Sequence, residues 1–460
     1  MSGKVDLSFI VGTGFNASVA SLAIQPNGQI IVGGQFTSYN GDVQCPNNLA
    51  RINPDGTLDT TFNYGAGTRG FNGFSAAISS IAIQFDGKIL AGGEFTSYNG
   101  DTQCPDGLVR INPDGTLDTS FNYGSAGFAG PGSVRAIVIQ PNGKILAGGA
   151  FISYNGDAQC PGNFARVNSD GTLDTSFNYG VSGNINGVIN ALILLPNGKI
   201  LVGGGFNSYN GDTNCPDGLA RVNSNGTLDT SFNYGAAGFS GPVRALALHL
   251  NGQIITGGEF SSYNGDAQCP DDLARINSDG TLDTLFNYGA GTRGFDGFGV
   301  NAVIIQPDGK VIAGGPFTSY NGDSQCPDRV ARLNFDGTLD DTFNYGAGRG
   351  LNITSNVLVI QPNGRLVVGG VAFTSYNDGV PRSSTRIIRL IAYSKVSFSK
   401  EENFGARNTV NVYSLQTTDT FKLPITNDPG QKAGSISMDP LGSSLKIRKP
   451  DGNLGSITIT

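Results

Sequence analysis

The sequence has no tryptophan, two methionines and one histidine, and only 14% of its 460 residues are charged. A chain this poor in charge does not suit long surface helices, which draw on Ala, Glu, Lys and Leu, so almost no helix is expected. Basic charge is also scarce: 29 Lys and Arg stand against 36 Asp and Glu, a net charge of -7. Phosphate backbones and anionic membrane surfaces need clustered cations, so neither nucleic acid nor a lipid surface is an expected partner. No window approaches the roughly 18 apolar residues of a membrane span. The start, Met1-Ser2-Gly3-Lys4-Val5, lacks the apolar core of a signal peptide, so neither secretion nor membrane insertion is expected. With one histidine and no paired-cysteine spacing, no metal or other cofactor is expected.

What the chain has instead is glycine, 69 residues of it, and internal repetition. Repetition outranks local readings, because a missed repeat miscasts the whole fold. Gln25-Pro26-Asn27-Gly28-Gln29-Ile30-Ile31-Val32-Gly33-Gly34 returns as Gln140-Pro141-Asn142-Gly143-Lys144-Ile145-Leu146-Ala147-Gly148-Gly149. The first glycine of the pair falls at Gly33, Gly92, Gly148, Gly203, Gly257, Gly314 and Gly369, seven copies spaced 54 to 59 residues apart. Within the first copy, Val19 to Gln25, Gln29 to Phe36, Leu49 to Asn53 and Thr57 to Tyr64 read as strands bounded by turn residues. Four antiparallel strands per copy make a propeller blade, and blades arranged around an axis leave only short, protected edges. The expected fold is therefore all-β: a seven-bladed β-propeller over residues 1–390, then a small β-rich attachment domain over 391–460.

Turn chemistry sharpens this reading. Asn53-Pro54-Asp55-Gly56-Thr57 predicts a hairpin loop with Gly56 left-handed, which sets Arg51 opposite Asp59. The pair recurs as Arg110/Asp118, Arg166/Asp174, Arg221/Asp229, Arg275/Asp283 and Arg332/Asp340. Repetition marks these as structural ion pairs, worth up to about 1 kcal/mol each when partly exposed. The seventh copy lacks its fourth strand, and Val5-Asp6-Leu7-Ser8-Phe9 matches Leu117-Asp118-Thr119-Ser120-Phe121. The N-terminus is thus expected to close the ring, with Asp6 meeting Arg389.

Two resemblances follow from quoted residues. Residues 140–177, with Ala165-Arg166-Val167-Asn168-Ser169-Asp170-Gly171-Thr172 after the Gly-Gly pair, resemble the delta-60 repeat family of propellers. That resemblance implies the fold and no particular activity. Phe421-Lys422-Leu423-Pro424, Ala433 to Asp439 and Ser444 to Ile447 resemble a short β motif of phage tail-fibre and other virion proteins. Val410 to Leu415, Ser435 to Met438, Ser444 to Ile447 and Gly455 to Thr460 read as the strands of this tail.

Each blade carries an insertion between its second and third strands, Ser38-Tyr39-Asn40-Gly41-Asp42 in the first copy. The candidate ligand ring is Tyr39, Asp42, Tyr98, Asp101, Tyr154, Asp157, Tyr209, Asp212, Tyr263, Asp266, Tyr320 and Asp323, while the seventh copy shortens to Tyr376-Asn377-Asp378-Gly379. Tyr rings and carboxylates at this spacing could hold a sugar or Ca²⁺, or the Asn and Asp could simply support a turn. The six cysteines occur one in each of the first six blades, so their even number reflects duplication, and reduced buried thiols are expected. His249 replaces the Gln before a turn and reads as a turn residue. Catalytic sites break symmetry, and no copy holds a unique nucleophile and base, so the chain is expected not to be an enzyme. The expected function is a virion structural or attachment protein of tail or fibre type, assembled in a host cytoplasm. Its partners would be other virion proteins, through 391–460, and possibly a host-surface glycan; the alternative is a multivalent glycan-binding propeller.

Overall fold

The computed structural model describes residues 3–392 apart from 66–68, 73–76, 131–133, 181–184, 290–292, 347–349 and 377–384, and four strands beyond them. The chain divides into two compact units, Met1–Tyr393 and Ser394–Thr460. Among the described residues there is no helix.

The first unit holds seven three-stranded antiparallel sheets. In the first sheet the strands are Val19–Ile24, Ile30–Gly34 and Leu49–Ile52; in the last they are Ser355–Ile360, Arg365–Phe373 and Thr385–Ile391. The first strand of each sheet lies against the first strand of the next, and that of the seventh against that of the first, so the sheets form a closed ring around an axis. The predicted fourth strand is shorter than expected. It contracts to one bridge, Ile52 to Leu58 in the first blade, after which Asp59 Oδ1 accepts from Thr61 N at 2.9 Å and from Thr61 Oγ1 at 2.7 Å. That side-chain turn competes with further pairing and bends the chain toward the next blade. The hairpin loop before it is as expected, with Gly56 at φ +92°.

Close packing between blades explains the Gly-Gly pair. A Cβ on Gly33 would stand 2.7 Å from Ile78 Cγ2 of the second blade, and one on Gly34 would stand 2.1 Å from the carbonyl oxygen of Ser18. The first glycine therefore admits the neighbour's inner strand, and the second admits the bulge in its own inner strand, where the register shifts between Val19 and Ser21. Core clusters accordingly mix adjacent blades: Ile31 and Leu49 of the first pack with Phe71 and Ile78 of the second. Each such aliphatic side chain contributes about 1.5–3 kcal/mol by leaving water.

The ring closes through the N-terminus. Val5 bridges Leu390, Asp6 N donates to Arg389 O at 2.8 Å, and Ile391 N donates to Lys4 O at 2.8 Å. Across the same seam a Cβ on Gly369 would lie 2.5 Å from Val19 Cγ1, the contact that every other blade boundary makes.

In the second unit Phe421–Leu423, Gly434–Met438, Ser444–Arg448 and Leu454–Thr458 pair in chain order as an antiparallel meander. The expected strand Val410 to Leu415 and the shortened loop Asn377-Asp378-Gly379 lie outside the described residues.

Candidate functional site

Repeated polar residues come first, because repetition makes them legible. Each Arg of the Arg/Asp series meets its Asp, as in Arg166 Nε to Asp174 Oδ2 at 2.6 Å, and Arg389 meets Asp6 at 2.9 Å. The pairs are buried, with side-chain exposures of 9% and 6% for Arg166 and Asp174, which corrects the partly exposed setting expected for them. Each guanidinium also lies over a Phe of its own repeat, 4.6 Å from the Phe177 centroid for Arg166, and reaches into the next blade, Nη1 donating to Ser224 O at 2.6 Å. Arg389 stands over Phe9 and donates to Pro54 O at 2.5 Å, so the series runs round the whole ring. A second cation, Lys144 in this blade, joins the same carboxylate at 2.7 Å; Gln29 and Gln253 take its place in the first and fifth blades. Burial alone would raise the Asp174 carboxyl, but hydrogen bonds from Lys144, Ser176 and Arg166 outweigh it and hold the group well below the usual carboxylate range. These are clasps between blades.

The insertion loops behave differently from the ligand ring read in them. Tyr39, Tyr98, Tyr154, Tyr209, Tyr263 and Tyr320 are all buried, none more than 1% exposed. Their hydroxyls donate to hairpin carbonyls, Tyr98 to Gly115 O at 2.5 Å and Tyr39 to Gly56 O. No ring face is open to a sugar, so the stacking role is corrected: these rings are core. The aspartates are equally engaged. Asp42 Oδ1 accepts from Gln44 N and Oδ2 from Tyr64 Oη, each at 2.9 Å. The same two bonds recur at Asp101, Asp157, Asp212, Asp266 and Asp323, with Tyr123, Tyr179, Tyr234, Tyr288 and Tyr345 as donors. Among the described residues no group of three His, Cys, Asp or Glu is placed to hold a metal ion.

The six cysteines are free and buried, and burial followed by the nearby aspartate pushes the Cys45 thiol up to about 12. His249 sits edge-on to Phe335 at 5.2 Å, and its Nδ1 accepts from Asn251 N at 3.3 Å within its turn.

The feature that does break the symmetry lies on the axis. One position after Val19 and its equivalents Ile78, Val134, Ile189, Val243, Val300 and Ser355, the seven blades carry Ala20, Ser79, Arg135, Asn190, Arg244, Asn301 and Asn356. Because Val19 pairs with Gly34, this end of the inner strands shares a face with the insertions, while the tight turns occupy the other. Five of the seven, Arg135, Asn190, Arg244, Asn301 and Asn356, line a cavity of about 560 Å³, with Val188 and Pro242 as apolar wall. Arg135 Nη1 donates to Asn190 Oδ1 at 3.2 Å, and Asn190 Nδ2 donates to Val243 O at 3.0 Å. Arg244 donates to Asn301 Oδ1 at 2.9 Å and pairs with Glu259 at 2.5 Å. Among the described residues Arg135 has no carboxylate partner. The sequence does hold this signal, but only as a difference between copies at one register position.

A known family shares the repeat of the ring. A family model described as a domain of unknown function (DUF5122) beta-propeller matches residues 25–62, 84–121, 140–177, 195–232, 250–286 and 306–343. No curated protein matches the chain. Among solved structures, virginiamycin B lyase from Staphylococcus aureus is similar at 11% identity and TM-score 0.46, over 83% of this chain and 97% of that one. The extracellular domain of a putative hybrid two-component system from B. thetaiotaomicron is similar at 13% identity and TM-score 0.46, over 96% of this chain and 45% of that one. Puromycin hydrolase is similar at 14% identity and TM-score 0.44, over 80% and 52%. Two of these three are enzymes, which corrects the expectation that the chain is not one. Uniform blades give no ground for excluding catalysis, and likenesses this distant assign no activity either.

Proposed function

The repeat region of this chain belongs to the DUF5122 β-propeller family, and we propose that it serves as the recognition head of a virion attachment protein, with residues 394–460 as the mount. The observation that carries this reading is that the ring closes on its own N-terminal segment, through Gly3, Lys4, Val5 and Asp6 paired to residues 389–391. Its last blade is thus completed by residues of the first unit, and in this reading the second unit serves attachment to other virion proteins. The resemblance of Phe421 to Ile447 to a tail-fibre motif supports the same assignment. Removing residues 394–460 is expected to leave a ring with unchanged unfolding behaviour and to abolish incorporation into particles. Normal incorporation of the shortened chain would remove the mount from the account.

One observation keeps multivalent glycan binding as a second reading. The tyrosines that donate to the loop aspartates are partly exposed, Tyr123 at 38% and Tyr234 at 41%, and they recur six times around the ring. Several weak contacts of this kind combine through avidity. A glycan array that responds to the wild type and loses its signal when these exposed tyrosines become alanine would support it; equal signals would reject it.

A further inference from the structure

We propose that the axial mouth is a single binding site for a hydroxylated, monoanionic carboxylate, the chemistry of a sugar acid. This inference concerns the ring alone and does not depend on the mount. Five inner strands converge there, and the site takes Arg from two of them and Asn from three, whereas the clasps use the same Arg and Asp in every blade. A ring that needed these positions for stability would repeat them.

The ligand class follows from charge and hydrogen-bond capacity. Arg135 and Arg244 bring two positive charges and Glu259 removes one, so the mouth is left with one unit of positive charge in a chain whose net charge is -7. A monoanion balances that, and a dianionic phosphate does not. An anion is drawn to this opening and away from the acidic remainder, since a cleft of net positive charge concentrates the field. Guanidinium groups present a planar fork that matches a carboxylate through two parallel bonds. Arg135 spends one nitrogen on Asn190 and makes no ion pair among the described residues, so its fork is open to a ligand.

The asparagines favour hydroxyls beside the carboxylate. Asn356, one of the residues lining the cavity, directs its Nδ2 to Ser18 Oγ at 3.3 Å and to Val19 O at 3.5 Å, so its Oδ1 is the atom left to accept from a ligand. An acceptor repels anionic oxygens and welcomes a hydroxyl proton. Val188 and Pro242 add the apolar wall against which a sugar ring can rest.

Isothermal titration of the full chain with glucuronate, N-acetylneuraminate, N-acetylglucosamine and inorganic phosphate tests this. The two sugar acids are expected to bind at one site per chain and the neutral sugar not to bind measurably. Arg135→Ala, a change at an exposed side chain, should weaken binding by about tenfold, as expected for a charged hydrogen bond. Arg135→Ala with Arg244→Ala should abolish it, with the thermal midpoint reporting that the ring is still folded. Three results would overturn the proposal: no binding of either acid, binding equally tight in the double variant, or phosphate binding as tightly as the sugar acids. A stoichiometry near six would move the site to the exposed tyrosines.

Discussion

The rim of the ring and its axis are built from the same seven repeats to opposite rules. At the rim, Arg, Asp and Phe recur in every blade, and each guanidinium reaches a backbone carbonyl of the next blade, from Arg51 on Pro113 through Arg332 on Ala392 to Arg389 on Pro54. At the axis, the equivalent position is small in two blades, basic in two and amide in three. A ring is only as stable as its weakest boundary, so each boundary needs the same clasp, whereas a ligand on the axis meets all blades at once and needs different groups around it. Repetition in this chain therefore marks stability, and its interruption marks recognition.

The largest effect comes from opening the ring. Deleting residues 1–9 removes the closing bridge, the Asp6 partner of Arg389 and Phe9 from the core. The expected outcome is a chain that no longer gives a cooperative unfolding transition in circular dichroism. A deletion that unfolds like the full chain would show that the seam is dispensable and the comparison misdrawn.

Breaking one clasp inside the ring should cost less. Arg166→Met leaves Asp174 buried with Lys144 as its remaining cation and strips Ser224 O of its Arg166 donor, and removal of one partner from a buried pair costs about 3–5 kcal/mol. Denaturant unfolding measures this directly, and the loss should match that of Arg389→Met at the seam. The clasp aspartates give the same prediction in pH. Their carboxyls are held low in the folded ring, so the stability they supply is full above the ordinary carboxylate range and is lost as pH falls through their lowered values.

A smaller effect of opposite sign is expected at Asp272. Burial, ahead of its neighbours Asp271 and Glu259, pushes this carboxyl up to about 7 while Phe260 N donates to it at 3.1 Å. The folded state then holds a proton that the unfolded state has released between about pH 4 and 7, so this group costs stability as pH rises through that window. Asn occupies the same place as Asn48 and Asn163 in two other blades, where Asn163 Oδ1 accepts from Phe151 N at 3.0 Å. Asp272→Asn is expected to stabilise the ring by about 1–2 kcal/mol at pH 8 and by little at pH 4, the difference of two unfolding curves.

The sequence makes the rim plain and hides the axis for one physical reason. Copies aligned for what they share reveal the blade count, the Arg51/Asp59 register and the match of Val5 to Phe9 with the fourth segment, because packing forces those residues to recur. The same habit misassigns Tyr39 and its equivalents, since a tyrosine in a polar Asn-Gly-Asp setting looks exposed until the hairpin of Gly56 is seen to cover it. The half-exposed Tyr64 series, sitting in a segment read as strand, went with the fold. Arg135 and Arg244 fall on strands whose other residues are apolar, and nothing local marks them; only the axis brings them together.

The thermal unfolding midpoint of the Arg135→Ala, Arg244→Ala double variant, measured beside Arg166→Met, tests this division of labour most directly. The account predicts that the axial double variant unfolds within about 0.5 kcal/mol of the wild type, as surface changes do, while the single clasp variant falls well below it. An axial variant destabilised as much as Arg166→Met would contradict it, because the unrepeated residues would then be holding the ring.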